Sequence, residues 1–252
     1  MSEAIFLVFV AVAVYAQSAT GFALALILLG LVGATEVVPL SDAVNAATVL
    51  ALVNAAAFLS RQPQVTVERS LWPAMAAAVP AAVGGIFLMT WLAGAAYEVL
   101  RLVLGVSIMA CAVLLWRAGK PLQEVSSGWA FALAGGLSGL LGGMFAAPGP
   151  PLVYLMYRQP IPQARVLRSL IMFFGSMALL RLAVILPAAT FSRHAVVLTA
   201  EAVPVALVVT LTTAGRPPPL PAPLLKAAVC VLLVLTGAGM TAAAASAIAA
   251  AP

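Results

Sequence analysis

Two ionisable residues stand inside long apolar stretches of this chain. Arg181 lies about two helical turns before the end of one stretch, and Glu201 about two turns into the next. Charges at membrane depth are expensive and mark ion or substrate paths. The intervening loop brings both to similar depth on one side. Arg181 is therefore expected to contact an anion, with Glu201 as counter-charge or proton carrier. The blander reading is that both reach for the interface. Uncharged polar groups gather in "QSATGF", where Gln17, Ser18 and Thr20 precede Gly21. A second interruption, "GGMFAAPGPPLVYLMYRQP", carries Gly149, Pro150 and Pro151. Proline suits a first helical turn, whose N–H groups are unpaired anyway, and the open N–H groups at a helix start favour anions. The two interruptions together are expected to cradle an anion. The alternative is a proline kink with close glycine packing, and Ser and Thr bonding within the bundle. Asn54 and Ser176 hold comparable mid-helix positions in the two halves, facing the substrate or joining helices. Arg168, with Arg158 and Arg165 nearby, is placed at a cytoplasmic mouth. His194 is read as a surface residue. No carboxylate pair, Cys/His metal spacing, nucleophile triad or phosphate-binding lysine motif occurs, so neither enzyme chemistry, a cofactor nor a metal is expected.

These residues sit in a chain whose solvent must be lipid. It is 64% hydrophobic and 8% charged, whereas a soluble domain carries about 25% charged residues. The net charge of +5 comes from twelve basic residues scattered singly between apolar runs, a topology signal with no call for nucleic acid. The N-terminus lacks a basic region and carries Glu3, which reads as a first membrane segment and not a signal peptide. Cys111 and Cys230 lie in apolar runs and read as buried thiols.

The chain is expected to be an all-α polytopic membrane protein. Apolar segments run 3–33, 40–60, 70–93, 98–116, 128–157, 164–187, 195–214 and 222–249. About 20 residues span a bilayer. Six segments fit single helices, while the first and fifth are too long and carry interior breakers. Each half is thus a broken or hairpin-like segment followed by three ordinary ones, giving two repeats, 1–120 and 121–252. Landmarks recur about 120 residues apart, Arg61 with Arg181 and Cys111 with Cys230. Transporter repeats place the substrate at their interface. "GRPPPLPAP" at 215–223 reads as a stiff connector.

Basic residues decide between topologies. Eight single crossings split them 6 to 6. If the fifth segment returns to its own side, Arg61, Arg69, Arg117, Lys120, Arg158, Arg165, Arg168, Arg216 and Lys226 share a face, against Arg101, Arg181 and Arg193, a split of 9 to 3. Such a bias marks a cytoplasmic face. Equivalent repeats would make the first segment return too, so that the repeats are inverted. The stretch before the proline cluster, 128–146, is much longer than the one after it, 150–157, which gives the hairpin unequal arms.

"GGLSGLLGGMFAAPGPPLVYLMYRQPIPQARVLRSLIMFF" resembles the second-half signature of the TauE/SafE sulfite exporter family. The matching elements are Gly149, Pro150, Pro151, Leu152, Val153, Pro162 and Arg168. "GFALALILLG" at 21–30 resembles the first-half counterpart, with Ala23 where the family has a second glycine and Ala147 where a glycine or polar residue is common. The resemblance implies transport of sulfite, sulfonates or related small anions across the bacterial plasma membrane. The expected partners are that anion and the bilayer, and self-association is left open. An anion channel, or a permease for another small organic anion, stays as the alternative, since helix breaks also build selectivity filters.

Overall fold

A computed structural model describes residues 2–61, 68–117, 122–187, 191–213 and 222–250. Regular structure in these residues is entirely helical. The first half comprises α1 (Ser2–Thr20), α2 (Leu24–Thr35), α3 (Leu40–Ser60), α4 (Trp72–Ala95) and α5 (Tyr97–Arg117). The second comprises α6 (Gly128–Phe145), α7 (Pro150–Tyr157), α8 (Gln163–Ile185), α9 (Arg193–Thr213) and α10 (Ala222–Ala250). Among the described residues, eight of these helices are long and apolar enough to cross a membrane. The other two, α2 and α7, are about 18 and 12 Å long at 1.5 Å per residue, short of a hydrocarbon core of about 30 Å. Most of the proline-rich connector, Lys120 and Arg216 lie outside the described residues.

Both long segments are interrupted where their breakers stand. After α1 the backbone turns through Gly21 at φ 78° and Ala23 at φ 91°. The Gly21 N–H closes the last turn on the Gln17 carbonyl at 2.7 Å. A Cβ at Gly21 would lie 2.6 Å from the Leu167 side chain, so space as well as φ favours glycine there. After α6 the turn passes through Ala146 at φ 54°. Left-handed backbone is costly for a residue with a Cβ, and alanine occupies it at both breaks.

The second interruption reverses the chain. The Leu152 N–H donates to Ser138 Oγ at 3.0 Å, yet an unbroken helix would separate those residues by about 20 Å. The reversed arm ends beside the start of α6. The Leu122 N–H donates to the Arg158 carbonyl at 2.7 Å, and the Gln159 amide exchanges hydrogen bonds with the Ser126 N–H and hydroxyl at 2.9 and 3.0 Å. Residues 122–126, leading into α6, thus turn inward to meet the short arm. The arms differ in length as the sequence implies, and this segment makes up the difference.

Small residues set the packing, as they must where lipid provides no hydrophobic drive between helices. Gly135, Gly139 and Gly143 of α6 rest on Ala74, Ala78 and Ala82 of α4 in the same order, so these helices are parallel and their backbones touch. Gly105 of α5 meets Gly237 and Thr241 of α10, and Cys230 Sγ lies 3.8 Å from the Ala112 carbonyl, so α5 and α10 are antiparallel. Cys111 and Cys230 are buried thiols. Gly30 and Gly33 of α2 meet Thr236 and Met240 in order, which makes α2 parallel to α10. The short helices therefore point opposite ways. The α7 helix ends at the face where α6 begins, whereas α2 ends at the other face, where Arg101 holds the Gly33 carbonyl at 3.1 Å and Glu36 at 2.6 Å.

Candidate anion site

The interruptions and Arg181 meet at one cavity. Gln17, Ala23, Ala25 and Leu26 line it from the first break, and Ala146, Ala147, Pro148 and Gly149 from the second. Gly142 of α6, Ala51 of α3, and Phe174, Met177, Ala178 and Arg181 of α8 complete the lining, around about 420 Å³ of space outside the protein's atoms, part of it open to the surroundings. Its walls are mainly methyl and methylene groups, and its cation is Arg181.

Arg181 is 2% exposed. Nε donates to the Gly143 carbonyl at 3.1 Å, and Nη1 to Thr48 Oγ1 at 2.7 Å and Asn45 Oδ1 at 3.3 Å. Among the described residues Nη2 reaches only Met89 Sδ, at 3.4 Å. All of these partners are uncharged. The ion pairs of Glu36, Asp42, Glu68 and Glu98 are with Arg101, His194 and Arg165, and Glu3, Glu124 and Glu201 are exposed. A buried charge without a counter-charge is strongly disfavoured, so this guanidinium favours any anion that enters the cavity.

Glu201 is not that counter-charge. It is exposed on α9, because the buried face of that helix is set by Leu198, Ala202, Ala206 and Thr210. Sharing a depth with Arg181 along the chain does not bring it to the same side of the bundle. His194 is only partly a surface residue, since Nδ1 lies 2.8 Å from Asp42 Oδ2 and Ser192 Oγ donates to Asp42 Oδ1 at 2.7 Å.

The open helix start is on α2, and not on α7 as the proline motif implies. Pro150 and Pro151 have no N–H to offer. The next donor, Leu152, is taken by Ser138, and Val153 bonds the Gly149 carbonyl at 2.9 Å. Gly149 lines the cavity, but Pro150 does not. On α2 the Leu24 N–H goes to Gln17 Oε1 at 3.1 Å. The N–H groups of Ala25 and Leu26 have no acceptor one turn back among the described residues, and both residues line the cavity. First-turn N–H groups and the helix dipole both attract anions.

The remaining sequence candidates fall into supporting places. Asn54, 0% exposed, lies behind Gln17. It accepts from Gln17 Nε2 at 3.2 Å and donates to Thr210 Oγ1 at 2.8 Å and Ser18 Oγ at 3.4 Å. Asn54 thus orients Gln17, and neither Asn54 nor Ser18 lines the cavity. Thr20 Oγ1 donates to the Ala16 and Phe22 carbonyls at 2.6 and 3.0 Å, shaping the turn at Gly21. Ser176 bonds Met172 of its own helix at 2.9 Å. Arg168, half-buried near the start of α8, is about 20 Å along that helix from Arg181. Sequence reading missed Asn45 and Thr48, which steady Arg181. With Asp42 they recur every third residue of an otherwise apolar helix, a polar stripe visible in "SDAVNAAT".

Residues 5–240 match the family described as "Sulfite exporter TauE/SafE". A "Probable sulfite/organosulfonate exporter TauE" of Cupriavidus necator is 29% identical over 205 residues, covering 81% of this chain and 80% of that one. No solved structure matches the chain. The members of this family are transporters, not enzymes, and the eight apolar helices make this chain a multi-pass membrane protein. With the match extending from α1 into α10 and taking in both interruptions, the chain belongs to the TauE/SafE sulfite exporter family.

Proposed function

We propose that this protein is a secondary transporter that carries sulfite, an organosulfonate or a related small sulfur anion out of the cytoplasm across a bacterial inner membrane. The anion rests between Arg181 and the open start of α2, with Gln17 beside it. The observation that carries this reading is buried Arg181, which lines the cavity and has only neutral partners among the described residues. Family membership and the exporter relative support a sulfur compound as that anion.

Transport proceeds by alternating access between two inverted repeats, 1–120 and 121–252. Support comes from helix pairing that survives exchange of the halves. α1 packs on α9 as α6 does on α4, and α2 on α10 as α7 does on α5. α3 with α8, and α5 with α10, pair each with its own counterpart. The opposed short helices fit the same relation. The face bearing Arg61, Arg69, Arg117, Arg158, Arg165 and Arg168 is cytoplasmic.

Proteoliposomes loaded with labelled sulfite, an alkylsulfonate or sulfate test the activity. Saturable flux of the first two and little of sulfate is expected. Single-channel currents, or no flux of either sulfur anion, would overturn the reading. For orientation, Gln163→Cys in intact cells should resist a thiol reagent that cannot cross membranes and react once the cells are opened. Equal labelling before opening would refute it.

A further inference from the structure

Away from the anion cavity, α5 and α10 leave a groove on the outside of the bundle. Val113 and Trp116 wall it on α5, and Val231, Val234 and Leu235 on α10. It encloses about 680 Å³ of space outside the protein's atoms, some of it open to the surroundings. Trp116 is 67% and Leu235 66% exposed, so in a membrane these side chains meet acyl chains and not water. The groove ends at Arg117, where α5 ends. Arg117 is exposed and forms no ion pair among the described residues. It stands on the face where α3, α5 and α7 end, together with Arg61 and Arg158.

We infer that this groove is a seat for one anionic phospholipid, with an acyl chain along the Val113–Leu235 cleft and its phosphate on Arg117. Three features agree on that occupant. The cleft is apolar at the depth of the hydrocarbon, the cation stands at the interface end, and Trp116 lies beside it. Tryptophan prefers the headgroup boundary, and a basic residue there attracts anionic headgroups. A second copy of this chain fits less well. A two-fold contact through the groove would apply the same patch to itself, setting one Arg117 against another.

Trp116 reports its own lipid. Replacing the exposed Trp72, Trp91 and Trp129 with phenylalanine leaves it as the sole tryptophan. The full-length protein is then reconstituted in mixed phosphatidylglycerol and phosphatidylcholine vesicles, with brominated chains on one lipid at a time. Brominated phosphatidylglycerol should quench Trp116 with an apparent preference of about fivefold, the factor expected for one basic residue near an anionic surface. Arg117→Gln should bring the two lipids to parity, Arg117→Lys should retain most of the preference, and Val234→Phe, filling the cleft, should weaken quenching by both. Equal quenching in the parent protein, or a preference that survives Arg117→Gln, would overturn the assignment. So would shielding of Trp116 from both lipids, with crosslinking between copies at this face.

Discussion

Replacing Arg181 with methionine should lower substrate flux at least a hundredfold while leaving the empty protein as stable as before, or more so. The two effects have one cause. Among the described residues the guanidinium has no counter-charge and only neutral hydrogen-bond partners. Taking an ion out of water costs several kcal/mol, and neutral groups offset only part of that. Methionine keeps much of the side-chain length without that penalty. When the anion binds, the same charge becomes half of a buried pair, and breaking such a pair costs about 3–5 kcal/mol, a hundredfold or more in binding. Arg181→Lys should not restore transport. A single ammonium cannot span the Gly143 carbonyl, Thr48 and Asn45 and still present a donor to the cavity, as a planar guanidinium does. Initial rates of labelled-anion efflux and thermal midpoints in detergent measure both effects. Flux within threefold of the parent protein would remove Arg181 from the site. Loss of flux together with a large loss of stability would mean that it is a structural residue.

The second large effect concerns the seam between α4 and α6. A Cβ added at Gly135, Gly139 or Gly143 would lie 2.2, 2.3 or 2.0 Å from the carbonyl oxygens of Ala74, Ala78 or Ala82. Those are backbone atoms, so the helices must move apart. Gly139→Ala should cost about 3 kcal/mol, at the upper end of overpacking penalties, and Gly139→Leu should prevent recovery of folded protein. Neighbouring Gly136 is the control, because its Cβ would meet only the Ala77 methyl, at 3.9 Å. Gly136→Ala should be neutral or slightly stabilising, since alanine restricts the unfolded chain more than glycine does. The thermal midpoints of the two variants decide the matter. Equal midpoints would show that the seam is not close-packed. The seam also reaches the cavity lined by Arg181, because Gly143 presents the carbonyl that holds Arg181 Nε. A milder spreading should therefore lower flux before it unfolds the protein.

Much of this architecture was legible along the chain. Composition required lipid as solvent, and segment length with interior Gly and Pro located both interruptions. The count of basic residues favoured a returning fifth segment, and α7 does lie back along α6. Arg181, Gln17 and Gly149 were picked out as polar or breaker residues in apolar runs, and all three line the cavity. These inferences are local. Desolvation penalises a charge, and a proline interrupts helical hydrogen bonding, whatever the neighbouring helices are.

Tertiary structure decided which of the candidates share a space. Glu201 and Arg181 are close in depth, but the face each presents depends on how its helix rotates against others, and that rotation follows small-residue contacts far along the sequence. Asn54 reads as a ligand in one dimension and is a brace in three, because it bonds Gln17, which lines the cavity, and does not line the cavity itself. The proline motif marks the start of α7 correctly, but the fold spends its one nearby N–H donor on Ser138, which the hairpin brings alongside. The open donors are instead on α2, at a start with no proline in it. By itself the sequence determined the solvent, the helices and their breaks, since these depend on each residue's own transfer cost and backbone freedom. The pairing of a buried cation with an open helix end depends on contacts between segments more than 100 residues apart, and only the folded chain settles those.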